Sequence, residues 1–209
     1  MPRLFVCFYA SGLPEQVWLE AIANYEGPVF ETSIFLGKRS EFASALAPRE
    51  ILTPDAWLSS TRAFQPSQQA INAFARLTSS FDFPDVIRTV VKAMDRRDYS
   101  GTLRNIDREM LCRNLSLVYL DKLLKHQITG VLFDTLPHTP DSLLVYKLAN
   151  HLEIPVLIFE ESHVAPVRFP VTGIADPDRF LARQLNLDFG HQREKNVHGV
   201  IARSVSRWR

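Results

Sequence analysis

The sequence predicts an α/β protein built on a doubly wound, mainly parallel sheet, with a helix-rich insertion in its middle and a C-terminal helix. Three observations lead there. Residues 3–9 and 155–159 are almost unbroken apolar runs, as strands covered by helices on both faces require. Residues 127–160 read as strand, helix, strand, a βαβ unit. A chain of 209 residues, 46% apolar and 22% charged, can bury one large core but is too short for two full doubly wound domains. The expected organisation is a single domain over 1–189 and an appended helix over 190–209.

The first apolar run, Leu4-Phe5-Val6-Cys7-Phe8-Tyr9, is expected to be a buried first strand. It lacks the length and the cleavage site of a signal peptide. Pro14 opens a helix whose apolar positions Val17, Trp18, Ala21, Ile22 and Tyr25 share a face, closing near Gly27-Pro28. A second strand is expected at 29–36, and 37–52 as a loop with a short helix.

From 53 to 126 the pattern is helical. Thr53-Pro54-Asp55, Thr139-Pro140-Asp141 and Asp176-Pro177-Asp178 each combine an N-cap, a proline at the first helical position and an acid facing the positive helix end. Phe83-Pro84-Asp85 starts a further helix. The longest should span 104–126, with Ile106, Met110, Leu117, Leu120 and Leu124 as its apolar stripe and Leu111, Leu115, Val118 and Leu123 widening it. Gly130 to Asp134 reads as a strand, Asp141 to Leu152 as a helix, and Pro155 to Phe159 as a parallel strand. Beyond Glu160 a loop containing Pro166, Pro170 and Gly173 leads to helices at 178–187 and 192–208.

Composition excludes several functions. Twenty-four Lys and Arg against twenty-three Asp and Glu leave a charge of +1, so no global field draws nucleic acid. Two cysteines, Cys7 and Cys112, support neither a disulfide scaffold nor a zinc site and suit a reducing, cytoplasmic setting. No apolar run reaches the 18 or so residues of a membrane span. No GxGxxG, Walker A, GxSxG, HExxH or CxxC motif occurs, so no cofactor and no metal are expected.

Ligands of open parallel sheets bind beyond the carboxyl ends of the strands. That places Ser11 and Gly12 after the first strand, Asp134 and His138 after the strand ending at 134, and Glu160, Glu161 and His163 after the next, with Arg168 further on. His138 precedes a helix N-terminus, which favours a neutral imidazole able to take a proton from a sugar hydroxyl. Asp134 is expected to orient that ring or to bind a hydroxyl. Glu160 and Glu161 are adjacent and so diverge, leaving one to face the crevice. Arg168 suits a phosphate or carboxylate. A loop histidine satisfying backbone groups, an acid capping a strand end and a surface arginine are the bland alternatives.

Residues 190–209 carry Arg193, Lys195, Arg203, Arg207 and Arg209 against Glu194, a local excess of four positive charges. Val197, Val200, Ile201, Val205 and Trp208 recur at helical spacing. Such a helix is expected to fold back on its own domain, to lie on an anionic membrane surface or to dock on a partner.

Asp134-Thr135-Leu136-Pro137-His138, the helix 141–152, Ile154-Pro155-Val156-Leu157-Ile158-Phe159-Glu160 and Arg168-Phe169 together resemble the N-terminal, Rossmann-like domain of bacterial surface-polysaccharide glycosyltransferases of the two-domain GT-B type, from capsule and lipopolysaccharide biosynthesis. The resemblance covers about a third of the chain. It implies binding of a sugar or lipid-linked glycan acceptor, with His138 and Glu160 catalytic and Ser11, Gly12, Asp134, Glu161 and Arg168 holding substrate. It also implies a donor-binding second domain, for which there is no room here, so the chain is expected to be a fragment, a truncated homologue or one part of a split enzyme, incomplete as a catalyst alone. The competing expectation is a noncatalytic α/β interaction or scaffold protein. A nucleotide-binding regulator is disfavoured by the missing glycine-rich loop.

Overall fold

The computed structural model describes residues 1–9, 14–27, 29–53, 64–80, 82–97, 101, 103–161 and 168–171. Their order is β1 (Arg3–Phe8), α1 (Glu15–Ala23), β2 (Glu31–Gly37), α2 (Glu41–Leu46), β3 (Glu50–Leu52), α3 (Gln68–Thr78), α4 (Phe83–Asp95), α5 (Asn105–Lys125), β4 (Gly130–Phe133), α6 (Pro140–His151), β5 (Val156–Glu161) and β6 (Arg168–Val171). The helix expected to follow Thr53, the helix start at Asp176, the helices at 178–187 and 192–208, and Ser11, Gly12 and His163 lie outside the described residues.

One sheet runs in the order β3-β2-β1-β4-β5-β6. β1 to β5 are parallel, and β6 is antiparallel to β5. Strand periodicity splits the apolar residues between two faces. Phe5, Cys7, Ile34, Val131, Phe133 and Ile158 pack under α3 to α6, while Leu4, Val6, Phe8, Phe35, Leu157 and Phe159 pack against α1 and α2. Phe5, Phe35 and Phe133 are fully buried, each contributing roughly 1.5–3 kcal/mol of transfer free energy. Gly37 is required by close approach: a Cβ there would stand 2.2 Å from the carbonyl oxygen of Phe8, its partner across β1 and β2.

Three expectations are corrected. Residues 37–52 hold the expected short helix, α2, and in addition an edge strand that was not expected. Ser40 caps α2 through the Ala43 N–H, the Glu15 carboxylate accepts the Phe42 N–H at 2.5 Å, and β3 follows as an edge strand. The segment after Glu160 returns as β6, with Pro170 opposite Phe159 on the outermost strand, the place in a sheet where proline is tolerated. On α5 the expected apolar face fails at its first turns. Ile106 and Met110 are 53% and 59% exposed, whereas Leu115, Val118, Leu120 and Leu123 are buried as expected, joined by Cys112, Ser116, Tyr119 and Asp121. Two polar residues sit inside because each is satisfied: Ser116 donates to the Cys112 carbonyl at 2.8 Å, and Asp121 accepts the Ser67 N–H at 2.8 Å.

Candidate functional site

The strand order reverses between β1 and β4, the place where an open α/β sheet leaves a crevice beyond its carboxyl ends. The residues emerging there are Tyr9 and Asp134. The Asp134 N–H donates to the Cys7 carbonyl at 3.1 Å, extending the ladder, and its carboxylate Oδ2 accepts the Tyr9 N–H at 3.0 Å. Asp134 is fully buried. Through Oδ2 it shapes the turn out of β1, the part of an acid that caps a strand end.

The loop 135–139 then delivers the start of α6. Thr139 caps the helix, accepting the Ser142 N–H at 3.2 Å, while Ser142 Oγ accepts the Thr139 N–H at 3.0 Å. Pro140 has no N–H to offer. Those groups are committed within the chain, and a phosphate would have to displace them to dock as anions do at open helix starts. Thr139 Oγ1 also donates to the Tyr9 hydroxyl at 2.9 Å, so the cap holds the phenol in place. Behind it the Tyr119 hydroxyl donates to Asp141 Oδ1 at 2.7 Å in a fully buried pair.

His138 is the exposed member of this group. Its Nδ1 lies 2.8 Å from the Leu136 carbonyl, which can only accept, so Nδ1 carries the proton and the neutral ring presents Nε2 as its unprotonated nitrogen. The ring sits beside Tyr9, centroids 6.1 Å apart. Asp134 does not orient His138: a backbone carbonyl does that, and Asp134 Oδ2 accepts from Tyr9 instead.

Electrostatics narrow the chemistry further. Burial first, then the charges of Asp134 and Asp141, push the Cys7 thiol well above its ordinary 9.0. It is protonated and no nucleophile. Burial likewise raises the Tyr9 phenol well above 10.0, with Cys7 and Asp141 adding and the Thr139 and Ser142 hydroxyls opposing. Tyr119 is raised in the same way by burial and then Asp141. The two tyrosines are thus hydrogen-bonding groups. Among the described residues no three His, Cys, Asp or Glu side chains are grouped to hold a metal ion, and no helix is long and apolar enough to cross a membrane.

Of the other expected residues, Glu160 and Glu161 belong to β5 itself rather than to a trailing loop, in register with Phe169 and Arg168 of β6. They are successive positions of one extended strand, the geometry in which neighbours alternate between faces. Arg168 opens β6. The group centred on Tyr9, Tyr119, Thr139, Asp141 and Ser142 was missed as a site. Its one signal in the sequence is the Thr139-Pro140-Asp141-Ser142 cap placed directly after a strand and a histidine. No family model, curated protein or solved structure matches the chain.

Proposed function

We propose that the chain is the acceptor-side, Rossmann-like half of a surface-polysaccharide glycosyltransferase of the two-domain type, working with a donor-binding domain or subunit at the cytoplasmic face of the membrane. On this reading the three described helices between β3 and β4, α3 to α5, belong to the helix-rich insertion of a doubly wound domain. The observation that carries the reading is the exposed His138, its Nδ1 held by a backbone carbonyl and its Nε2 left as the nitrogen with the lone pair, at the point where strand order reverses.

The chemistry around it favours hydroxyls over phosphates. Buried Asp134 and Asp141 and the committed end of α6 disfavour a diphosphate, whereas an imidazole beside a phenol suits a polyhydroxyl acceptor. In transfer, Nε2 takes the proton of the acceptor hydroxyl while its oxygen bonds to the anomeric carbon of a sugar whose diphosphate leaves toward the donor-binding partner. Glu160, Glu161 and Arg168, all on one hairpin, are proposed as further acceptor contacts.

The test is an NMR titration of the His138 ring with free oligosaccharides and, separately, with nucleotide sugars. Shifts confined to the oligosaccharides support the reading, and shifts from nucleotide sugars alone overturn it. In the assembled enzyme, His138→Ala should lower transfer by roughly 10²–10⁴-fold with unchanged thermal stability. Unchanged transfer removes His138 from the mechanism.

A further inference from the structure

α5 projects past the crevice. Its Tyr119 hydroxyl meets Asp141 at the start of α6, on the carboxyl side of the sheet, while its C-cap His126 offers a carbonyl to Arg3 Nη1 at 3.5 Å, at the start of β1. The helix therefore runs from the crevice end toward the amino end, and at 1.5 Å per residue Met110 and Ile106 stand about 14 and 20 Å beyond Tyr119 along its axis. Both are exposed, and their spacing of four puts them one turn apart on one face. The end of α4 is held beside them. Asp95 pairs with Arg108 Nη1 at 2.9 Å, which brings Lys92, Arg96 and Arg97 next to the first turns of α5. Arg104 pairs with Asp107 at 3.0 Å, and the Arg113 guanidinium lies over the Phe83 ring at 5.3 Å. With two acids taken up in this way, Lys92, Arg96, Arg97 and Arg113 stand exposed with no ion pair among the described residues, against Glu109 and, in sequence, Asp98. The surface is positive, with two apolar side chains projecting from it.

We propose that this surface is where the protein meets an anionic lipid bilayer, with Ile106 and Met110 entering the interfacial layer and Lys92, Arg96 and Arg97 facing the headgroup phosphates. A lipid surface is fluid and takes projecting apolar side chains without a matching recess, and cations around them add attraction to anionic headgroups. Arginine and lysine reach those headgroups on long stems while the helix stays at the boundary. Docking here turns the crevice end of the sheet toward the bilayer. The use of that orientation rests on the acceptor reading above, since a glycan carried on lipid projects from the same side.

Co-sedimentation of the full chain with phosphatidylglycerol vesicles, and with phosphatidylcholine vesicles as the neutral control, tests this. The wild-type chain should pellet with the first and not with the second. Arg96→Gln with Arg97→Gln should weaken the partition coefficient about thirtyfold, as two cations at an anionic surface require, and Ile106→Gln with Met110→Gln about tenfold. Arg203→Gln with Arg207→Gln should leave it unchanged. The four positions on α4 and α5 are exposed, so melting temperatures should not move. If the Ile106 and Met110 variant does lose its fold, Met110→Ala replaces it, with a fall of about threefold expected. No pelleting with phosphatidylglycerol, equal pelleting with both lipids, or binding that only the Arg203 and Arg207 variant abolishes overturns the proposal. So does a mass that grows with protein concentration in the wild type and not in the Ile106 and Met110 variant, which assigns the patch to a second copy. Vesicle binding needs no sugar: its failure leaves the oligosaccharide titration of His138 as it was, and a His138 that no oligosaccharide shifts leaves this surface standing.

Discussion

Asp134 accepts the backbone N–H of Tyr9 at 3.0 Å across 125 residues of sequence, tying the end of β4 to the turn that leaves β1. Removing the carboxylate leaves a part-buried donor without its acceptor. Asp134→Ala should cost roughly 1–3 kcal/mol of unfolding free energy, measured by urea denaturation, and Asp134→Asn, which keeps an acceptor oxygen, should cost less. Equal losses would show that the charge, rather than the acceptor, matters.

Thr139 does two things, capping α6 and holding the Tyr9 hydroxyl. Thr139→Ala should lose about 1 kcal/mol for the cap and a comparable amount for the second bond, a fall in Tm of roughly 4–8 °C for a domain of this size. Thr139→Ser should recover most of it. A melting temperature unchanged in the alanine variant would mean that neither bond contributes.

Alkaline stability follows from the buried thiols and phenols. Burial pushes Cys112 up to about 12 from its ordinary 9.0 and raises Cys7, Tyr9 and Tyr119 as well. A group whose pKa is higher folded than unfolded contributes stability in full below its unfolded value and loses it as pH rises toward the folded value. Between pH 9 and 12 each such group subtracts up to about 1.4 kcal/mol per pH unit. Urea midpoints should therefore fall steadily above pH 9, and less steeply in Cys112→Ala. A flat profile from pH 8 to 11 would contradict the burial of these groups.

The Leu136 carbonyl sets the tautomer of His138. Long-range proton–nitrogen correlation spectra at neutral pH should show the Nδ1–H form, with Nε2 resonating as the unprotonated nitrogen. Observation of the Nε2–H form would remove the basic nitrogen on which the proposed proton transfer depends. Because the ring is exposed and its one hydrogen bond is to a backbone carbonyl, His138→Ala should change stability by no more than about 0.5 kcal/mol.

The βαβ unit was legible because each of its signals is local: the apolar run before Asp134, the Thr139-Pro140 helix start and the apolar run after Pro155. β3 was not, since Glu50-Ile51-Leu52 is three residues long and pairs only with β2. β6 was hidden by Pro170, a residue that argues against a strand unless the strand is known to lie at an edge. On the candidate site, the chain order of loops put His138 beyond a strand end, but Tyr9 looked like one more apolar residue of β1.

By itself the sequence determined the α/β class, the parallel strands at 131–133 and 156–159 and the position of His138 at a helix start, because periodicity and capping act over a few neighbouring residues. Only the tertiary structure decided which strand lies beside which, that Asp134 serves Tyr9 rather than His138, and that Tyr119 meets Asp141 behind them. Those contacts join groups 22 to 125 residues apart, and a hydrogen bond between distant segments is specified by the packing of the sheet and its helices, which no local pattern encodes.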